Sequence, residues 1–493
     1  GTGKSKNSLF SFYIKTIKQT RMKKKLSKQI TTRFYVKVLA MIAIFSFSFI
    51  SCKDDDNEMV ATQNIVALAQ SNSDLSSLVA ALTKYPDLVS TLSGTGTYTV
   101  FAPTNAAFAG LLSAIGQTSL DDIPESVLKN VLQYHVVTSG AVLSTQLTTG
   151  NVTAANGEAI AVNVSSGVKL NGSVNVVTAD VKATNGVVHV IDAVLVPPTV
   201  TPIVGTIVAP AYFNKNFSTL VAAVVQAGLL PTLLSTENEL TLFAPTNDAF
   251  TAAGITSLPA NDATGNALLT SILSYHVIAG ATEIKAADIA TGPSSAATFG
   301  GAKIYLSKGT AGVFINGKTQ VTATDIQGSN GIVHVINRTL VPPTQTIAEI
   351  VVANTTAASP QFTQLLAALQ RTQGQGDNDL LAAVSASTGE LTVFAPTDAA
   401  FQALYTSLSV ANVNEIPLAT LIAVLKKHVV GARRFSSDLV SGPVVTLNGN
   451  ITVNTSNLTI VGGSGDPATL QAALLNIHGK NGVIHVIDKV LLP

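Results

Sequence analysis

The chain is expected to fold as α+β, written three times in tandem, and three recurring marks carry that expectation. The first is TVFAPTNAAF at Thr99–Phe108, TLFAPTNDAF at Thr241–Phe250 and TVFAPTDAAF at Thr392–Phe401. The second is LQYHVV (Leu132–Val137), LSYHVI (Leu273–Ile278) and LKKHVV (Leu425–Val430). The third is NGVVHVIDAVLVPP (Asn185–Pro198), NGIVHVINRTLVPP (Asn330–Pro343) and NGVIHVIDKVLLP (Asn481–Pro493). The marks keep their order, and successive copies lie about 140 to 150 residues apart, the size of a domain and not of a solenoid repeat.

Each copy reads helix first and sheet after. Leu75, Leu78, Val79 and Leu82 recur at i, i+3, i+4 and i+7 and predict a helix, with counterparts from Phe217 and Phe362. In the opening box TVF predicts a short strand that Pro103 ends, because proline donates no ladder hydrogen bond. Thr104, Thr246 and Thr397 then stand where a helix N-cap belongs, and Phe108, Phe250 and Phe401 fall on the core one turn later. A second helix, IPESVLKNVLQYH, has Pro124 near its start, where proline is tolerated. The second half alternates and turns on Gly and Asn, as in VKLNGSVNVV and AKIYLSKGTAGVFINGK, and predicts an antiparallel sheet. Asn-Gly before the last strand is a hairpin signal. That strand is apolar on both faces, so it should be central. The sequence PPT after Val196 and after Val341 predicts short, stiff junctions.

Hydrophobic residues make up 46% of the 493 and charged residues 12%, enough apolar side chain for well-buried cores. The net charge of +1 hides a segregation: eleven of the 29 Lys and Arg lie in residues 1–51, which hold no acid. The rest of the chain has 18 basic against 28 acidic residues, near −10, and that balance argues against general nucleic-acid or polyanion binding. From Met22 a basic stretch leads into an apolar run, Val38–Ile50, followed by Ser51 and the one cysteine, Cys52. A run of that length reads as a secretion signal and is too short for an ordinary spanning helix. Ser51-Cys52 at its end resembles a bacterial lipoprotein cleavage box, which makes Cys52 the expected lipidation site. The following KDDDNE resembles an acidic tag that sends some lipoproteins to the outer face of the outer membrane, with the periplasmic face as the alternative. The expected layout is an upstream extension at 1–21, a lipoprotein signal at 22–51, an acidic tether at 52–59, and modules at 60–199, 200–344 and 345–493. With Cys52 lipidated, no disulfide can form within the mature chain, and membrane contact would run through the lipid anchor only.

The candidate site residues are few. His135, His276 and His428 extend the apolar stripe of their helices, so they read first as hydrogen-bonded core residues, with a binding role as the alternative. His189, His334 and His485 lie in the central strand and read as structural. A hydrolase reading could cite the spacing of His189 and Asp192, but copy two has Asn337 there, and no recurring Ser or Cys sits in a strained turn. The sequence has no HExxH, no paired cysteines, no calcium loop and no phosphate-binding glycine loop, so neither metal nor other cofactor is expected. His478 stands where Lys182 and Gln327 stand in the other copies and reads as a turn residue. Lys426, Lys427, Arg433 and Arg434 gather around His428, either as a solvated face near a helix end or as a contact for an anionic glycan or membrane surface.

The three marks, in this order and spacing, resemble the two conserved boxes and the Tyr-His motif of fasciclin domains over roughly residues 60–493. The resemblance implies, for each module, a wedge of about seven mainly antiparallel β-strands packed with a helical bundle. It also implies extracellular, non-enzymatic adhesion modules that bind cell-surface proteins, matrix proteins or polysaccharides. The Tyr-His motif, implicated in adhesion in animal members, maps to Tyr134-His135 and Tyr275-His276; copy three departs with Lys427-His428. The expected function is therefore a lipid-anchored surface adhesion protein, the alternative being an accessory lipoprotein subunit of an outer-membrane transport or assembly complex.

Overall fold

A strand buried on both faces organises each module. The structure, a computed structural model, describes residues 61–463 and 465–493, so the signal stretch, Cys52 and the acidic tether lie outside the described residues. In the first module the strands are β1 (Tyr98–Pro103), β2 (Val136–Val137), β3 (Gly150–Thr153), β4 (Ala159–Asn163), β5 (Lys169–Leu170), β6 (Val174–Ala183) and β7 (Gly186–Ile191). They make one sheet in the order β2-β1-β7-β6-β5-β4-β3. Only the β1·β7 pairing is parallel, running in register from Tyr98 opposite Gly186 to Pro103 opposite Ile191. The strand from the helical half therefore crosses to the middle of the sheet, where helix-then-sheet order in the sequence would not have placed it.

Alternation along this pair separates two cores. Val100, Ala102, Val188 and Val190 join the helical side, with Leu78, Leu82, Phe108, Leu128 and Leu132. Phe101 and Ile191 face the other way, onto Ile160, Val162 and Leu170 of the outer strands. Every residue of β7 is buried. Removing one such large side chain from water contributes about 1.5–3 kcal/mol.

The helices of this module are α1 (Ile65–Ser71), α2 (Ser76–Leu82), α3 (Pro86–Ser93), α4 (Asn105–Ala114) and α5 (Glu125–Tyr134). The periodic residues Leu78, Val79 and Leu82 fall in α2, and the similarly short α1 and α3 flank it. The opening box turns from β1 into α4 at Thr104, whose hydroxyl accepts from the Ala107 N–H at 3.1 Å. Thr246 and Thr397 cap their helices the same way, each at 3.2 Å. The next residue ties the box to α2: the Asn105 side chain accepts from the Ser77 N–H at 2.8 Å and donates to the Ser73 carbonyl at 2.9 Å.

The Asn-Gly pair before β7 is more than a turn. Asn185 is 4% exposed; it accepts from the Ile65 N–H at 2.9 Å and donates to the Leu92 and Gly94 carbonyls at 2.8 and 3.0 Å. One amide thus closes the start of α1 and the end of α3 onto the sheet. Asn330 makes the same three bonds in module two, and Asn481 binds Ile347 and Val384 in module three. Gly186, at φ +154°, follows because a Cβ there would stand 2.1 Å from the Tyr98 carbonyl oxygen.

Module two repeats the seven-stranded order, with Glu239–Pro245 parallel to Gly331–Ile336. Module three keeps the parallel pair, Leu391–Pro396 with Gly482–Ile487, but divides its strands into two four-stranded sheets. The long strand of the other modules is bulged around Asp180 and Asp325, both at positive φ. In module three the equivalent chain breaks into Pro467–Thr469 and Ile477–Gly479 with a 3₁₀ turn, Ala472–Leu474, between them.

Replacing Asn185 by Ala should destabilise module one by about 3 kcal/mol, because a buried N–H and two carbonyls lose their partner. Asn185→Asp should fare no better, since its second oxygen would face the two carbonyls. The urea midpoint of the first unfolding transition measures both, and an unchanged midpoint would contradict the role given to this amide.

Candidate functional site

The histidine of the second mark closes its helix and binds both ways. His135 is 2% exposed. Its Nδ1 lies 2.7 Å from the Val131 carbonyl one turn back, and its Nε2 accepts from the Leu195 N–H at 2.8 Å. An acceptor at Nε2 and a carbonyl at Nδ1 select the neutral tautomer protonated at Nδ1. His276 repeats the pattern with Ile272 and Leu340, and His428 with Val424 and Leu491. Burial holds each of these three imidazoles down at about 4, only partly opposed by the carbonyl bond.

The strand histidines take the opposite tautomer. His189 Nδ1 accepts from the Asp180 N–H at 3.2 Å, and its Nε2 donates to the Val142 carbonyl at 2.9 Å. The ring lies over Phe101, with centroids 5.7 Å apart. Meanwhile the first threonine of the opening box, Thr99, accepts from the Val142 N–H at 2.9 Å. Val142 is therefore gripped at both backbone polar groups. Ile284 is held likewise by Thr241 and His334, and Arg434 by Thr392 and His485. These threonines are at most 1% exposed. From sequence these threonines read only as strand residues, and their recurrence at one position of the box is the one signal of this role.

The Tyr-His motif, expected as a candidate contact surface, is instead interior. Tyr134 is fully buried, donating to the Ala159 carbonyl at 2.7 Å and accepting from Asn171 at 3.0 Å. Tyr275 does the same with Lys303 and Asn316. Burial raises both phenols above their ordinary range. In module three Lys427 substitutes, 5% exposed, its ammonium donating to the Asn448 carbonyl at 3.2 Å. All three side chains stitch the helix end to the outer strands.

The basic cluster of module three is also not a solvated face. Lys426 bonds Asn378, Lys427 is buried as described, and Arg434 is half-buried. Arg433 has a side chain only 2% exposed, yet every N–H is used. Its Nε meets Glu390 at 2.7 Å, and its terminal nitrogens donate to the carbonyls of Gly479, Gly482, Gly389 and Lys480 at 2.8–3.0 Å. The guanidinium carbon stands 4.4 Å from the ring centroid of Tyr305, a module-two residue, whose hydroxyl donates to Glu390 at 2.9 Å. Around this stack Ser307 bonds Asp438 and Ser437, and Asn476 reaches the Gly317 carbonyl at 3.3 Å. The junction of modules two and three is therefore a polar contact centred on a desolvated cation–π pair.

The junction of modules one and two is built differently. Their helical cores are continuous, with Ile203, Ile207 and Phe213 buried in the same apolar cluster as Leu78 and Ile123. The connector is held as well: Thr199 donates from its N–H and hydroxyl to the Glu158 carboxylate, each at 3.0 Å. Lys215 reaches the Asp122 and Asp121 carbonyls at 2.8 and 2.9 Å.

The arrangement thus offers hydrogen-bonded imidazole rings in the interior and two contrasting junctions. Among the described residues no three His, Cys, Asp or Glu side chains converge as metal ligands would. A family model described as Fasciclin domain matches residues 73–197, 215–342 and 360–493. Protein sll1483 of the cyanobacterium Synechocystis is 44% identical over 139 residues, which cover 28% of this chain and 76% of that protein. Human periostin is 26% identical over 440 residues, covering 86% of this chain and 46% of periostin. Pig transforming growth factor-beta-induced protein ig-h3 is 31% identical over 51% of this chain and 35% of its own length. The chain thus spans less than half of either animal relative. A solved FAS1 domain pair from the insect cell adhesion molecule Fasciclin I is 22% identical, covering 55% of this chain and 98% of that one with a TM-score of 0.26.

Acid should unfold the protein through these rings. An imidazole held at about 4 in the fold and near 6.5 when unfolded adds stability above pH 6.5, and that stability is lost as pH falls from 6.5 through 4. Protonation would also set a new N–H against a backbone N–H. The calorimetric midpoint of residues 61–493 should fall continuously between pH 7 and pH 4; a flat profile would contradict the neutral tautomers. Independently, Tyr305→Ala should weaken the second junction by about 1–2 kcal/mol while leaving the four carbonyl bonds of Arg433 intact. Limited proteolysis of the 342–346 connector should then accelerate.

Proposed function

The chain belongs to the fasciclin-domain family, and on that premise we propose that it is a lipid-anchored, non-enzymatic adhesion protein of the cell surface. Its partners on this reading are polysaccharides or other surface proteins. The observation that carries the proposal is the use made of the recurring histidines. All six are committed as crossbars with both ring nitrogens bonded, which leaves none of these histidines free as a general base. The recurrence therefore serves architecture, and binding falls to the outer surfaces of the modules.

Tandem modules suit weak, repeated ligands. Two linked contacts gain affinity when the linkage holds them at a matching span, and both junctions here are bonded through named side chains. Cys52, directly after the apolar run Val38–Ile50, supplies the anchor in this reading, and the acidic KDDDNE that follows favours display on the outer face.

Cys52→Ser should release the protein from the membrane fraction and abolish the cell-to-surface attachment it mediates, while external protease should remove the wild-type protein from intact cells. Purified residues 61–493 coupled to beads should be retained on polysaccharide-coated or cell-coated surfaces. Retention on none of them would overturn the adhesion reading. Recovery of one partner at fixed stoichiometry from membranes, without surface retention, would assign the accessory-subunit role instead.

A further inference from the structure

Two buried side-chain polar atoms among the described residues lack any hydrogen-bond partner: Thr339 Oγ1 and His478 Nε2. They come from different modules and line the same cleft, about 180 Å³, where modules two and three meet. Thr339 is 3% exposed, so its hydroxyl is almost wholly withdrawn from water yet unbonded. An orphaned buried hydroxyl is destabilising unless something else meets it. Two orphans lining one cleft call for an occupant.

The rest of the lining specifies its charge. Lys318 and Arg338 stand at the cleft, and its lining contains no carboxylate. Burial first, and then the Arg338 cation, hold the Lys318 ammonium below its usual range, so the pair is unneutralised and mutually repelling. His478 packs edge-on against Phe435 and Tyr305, with centroids 5.2 and 5.7 Å away. Burial and the nearby Arg433 cation push its imidazole down to about 3, so it stands neutral and can present Nε2–H. This residue reads as a turn from the sequence; in the structure it lies in the strand Ile477–Gly479, at the module boundary.

We propose that this cleft is an oxyanion site, in which Lys318 and Arg338 bind a carboxylate or sulfate group and the Thr339 hydroxyl and His478 Nε2–H complete its coordination. Two cations and two neutral donors match the acceptor-only chemistry of such a group. Because the donors come from both modules, the bound anion bridges the junction and stiffens it. The other two copies lack the site: the equivalents of His478 are Lys182 and Gln327. The same chemistry could arrive as a free inorganic anion or as the acidic group of a saccharide, and the two are separable by experiment. The site stands independently of the adhesion reading, since it predicts binding whether or not cells are held.

Titration calorimetry of residues 61–493 with sodium sulfate and with sodium galacturonate, at fixed ionic strength against chloride, tests it. Saturable binding at one site per chain is expected for at least one ligand. Arg338→Gln and Lys318→Gln should each weaken it at least tenfold, and Thr339→Val about fivefold. Lys426→Gln, away from the cleft, should leave it unchanged, and circular dichroism confirms that each variant is folded. Tighter galacturonate binding assigns the site to an acidic saccharide, and sulfate binding alone assigns it to a free ion. No saturable binding, or binding that survives Arg338→Gln in a folded protein, overturns the proposal.

Discussion

The parallel pairing of the opening-box strand with the last strand is the constraint on which each module hangs. A parallel pair needs a long crossover, and here that crossover contains most of the module: helices α4 and α5 and strands β2 to β6 all lie between β1 and β7. Both strands are buried on both faces, so their register must be held without help from solvent-exposed polar residues. Gly186 holds one end by letting the Tyr98 carbonyl approach within a distance that no side chain would allow. Thr104 holds the other end, capping α4 the moment the strand stops and donating its own N–H to the Ile191 carbonyl.

Around that pair the fold spends its polar side chains on backbone groups that strand and helix ladders leave over. Asn185 satisfies the first helix and the third, His135 joins α5 to the chain after β7, and His189 with Thr99 takes both polar groups of Val142. Each of these bonds joins residues dozens of positions apart. They lie in the interior, where an unmet partner is costly and a met one is strong. Histidines so regular in sequence thus act here as crossbars, both ring nitrogens bonded to backbone groups.

The junctions obey different physics. Modules one and two share an apolar cluster, which tolerates side-chain exchange of similar volume. Modules two and three meet through Arg433, Tyr305, Glu390 and a group of hydroxyls and amides, where geometry and charge must match. A desolvated guanidinium with all its donors used is stable in place but intolerant of rearrangement. The same boundary gathers the two orphaned polar atoms found among the described residues, so its chemistry is not closed by the protein alone.

The sequence alone determined the number of modules, the α+β class, the strand-to-helix corner and the burial of the six motif histidines. Repetition at domain spacing and period-3.6 or period-2 patterning are local signals that survive without knowledge of the partner chain. Tertiary structure decided the rest. It alone showed that β1 crosses to pair in parallel with β7, because a strand buried on both faces looks the same in sequence whichever neighbour it has. It turned Tyr134, Tyr275 and Lys427 inward and made Arg433 a buried junction residue, because amphipathic side chains carry no local mark of whether their polar end meets water or a carbonyl. It also placed His478 and Thr339, from consecutive modules, on the same cleft, since proximity across a domain boundary is set by packing and by nothing written near either residue.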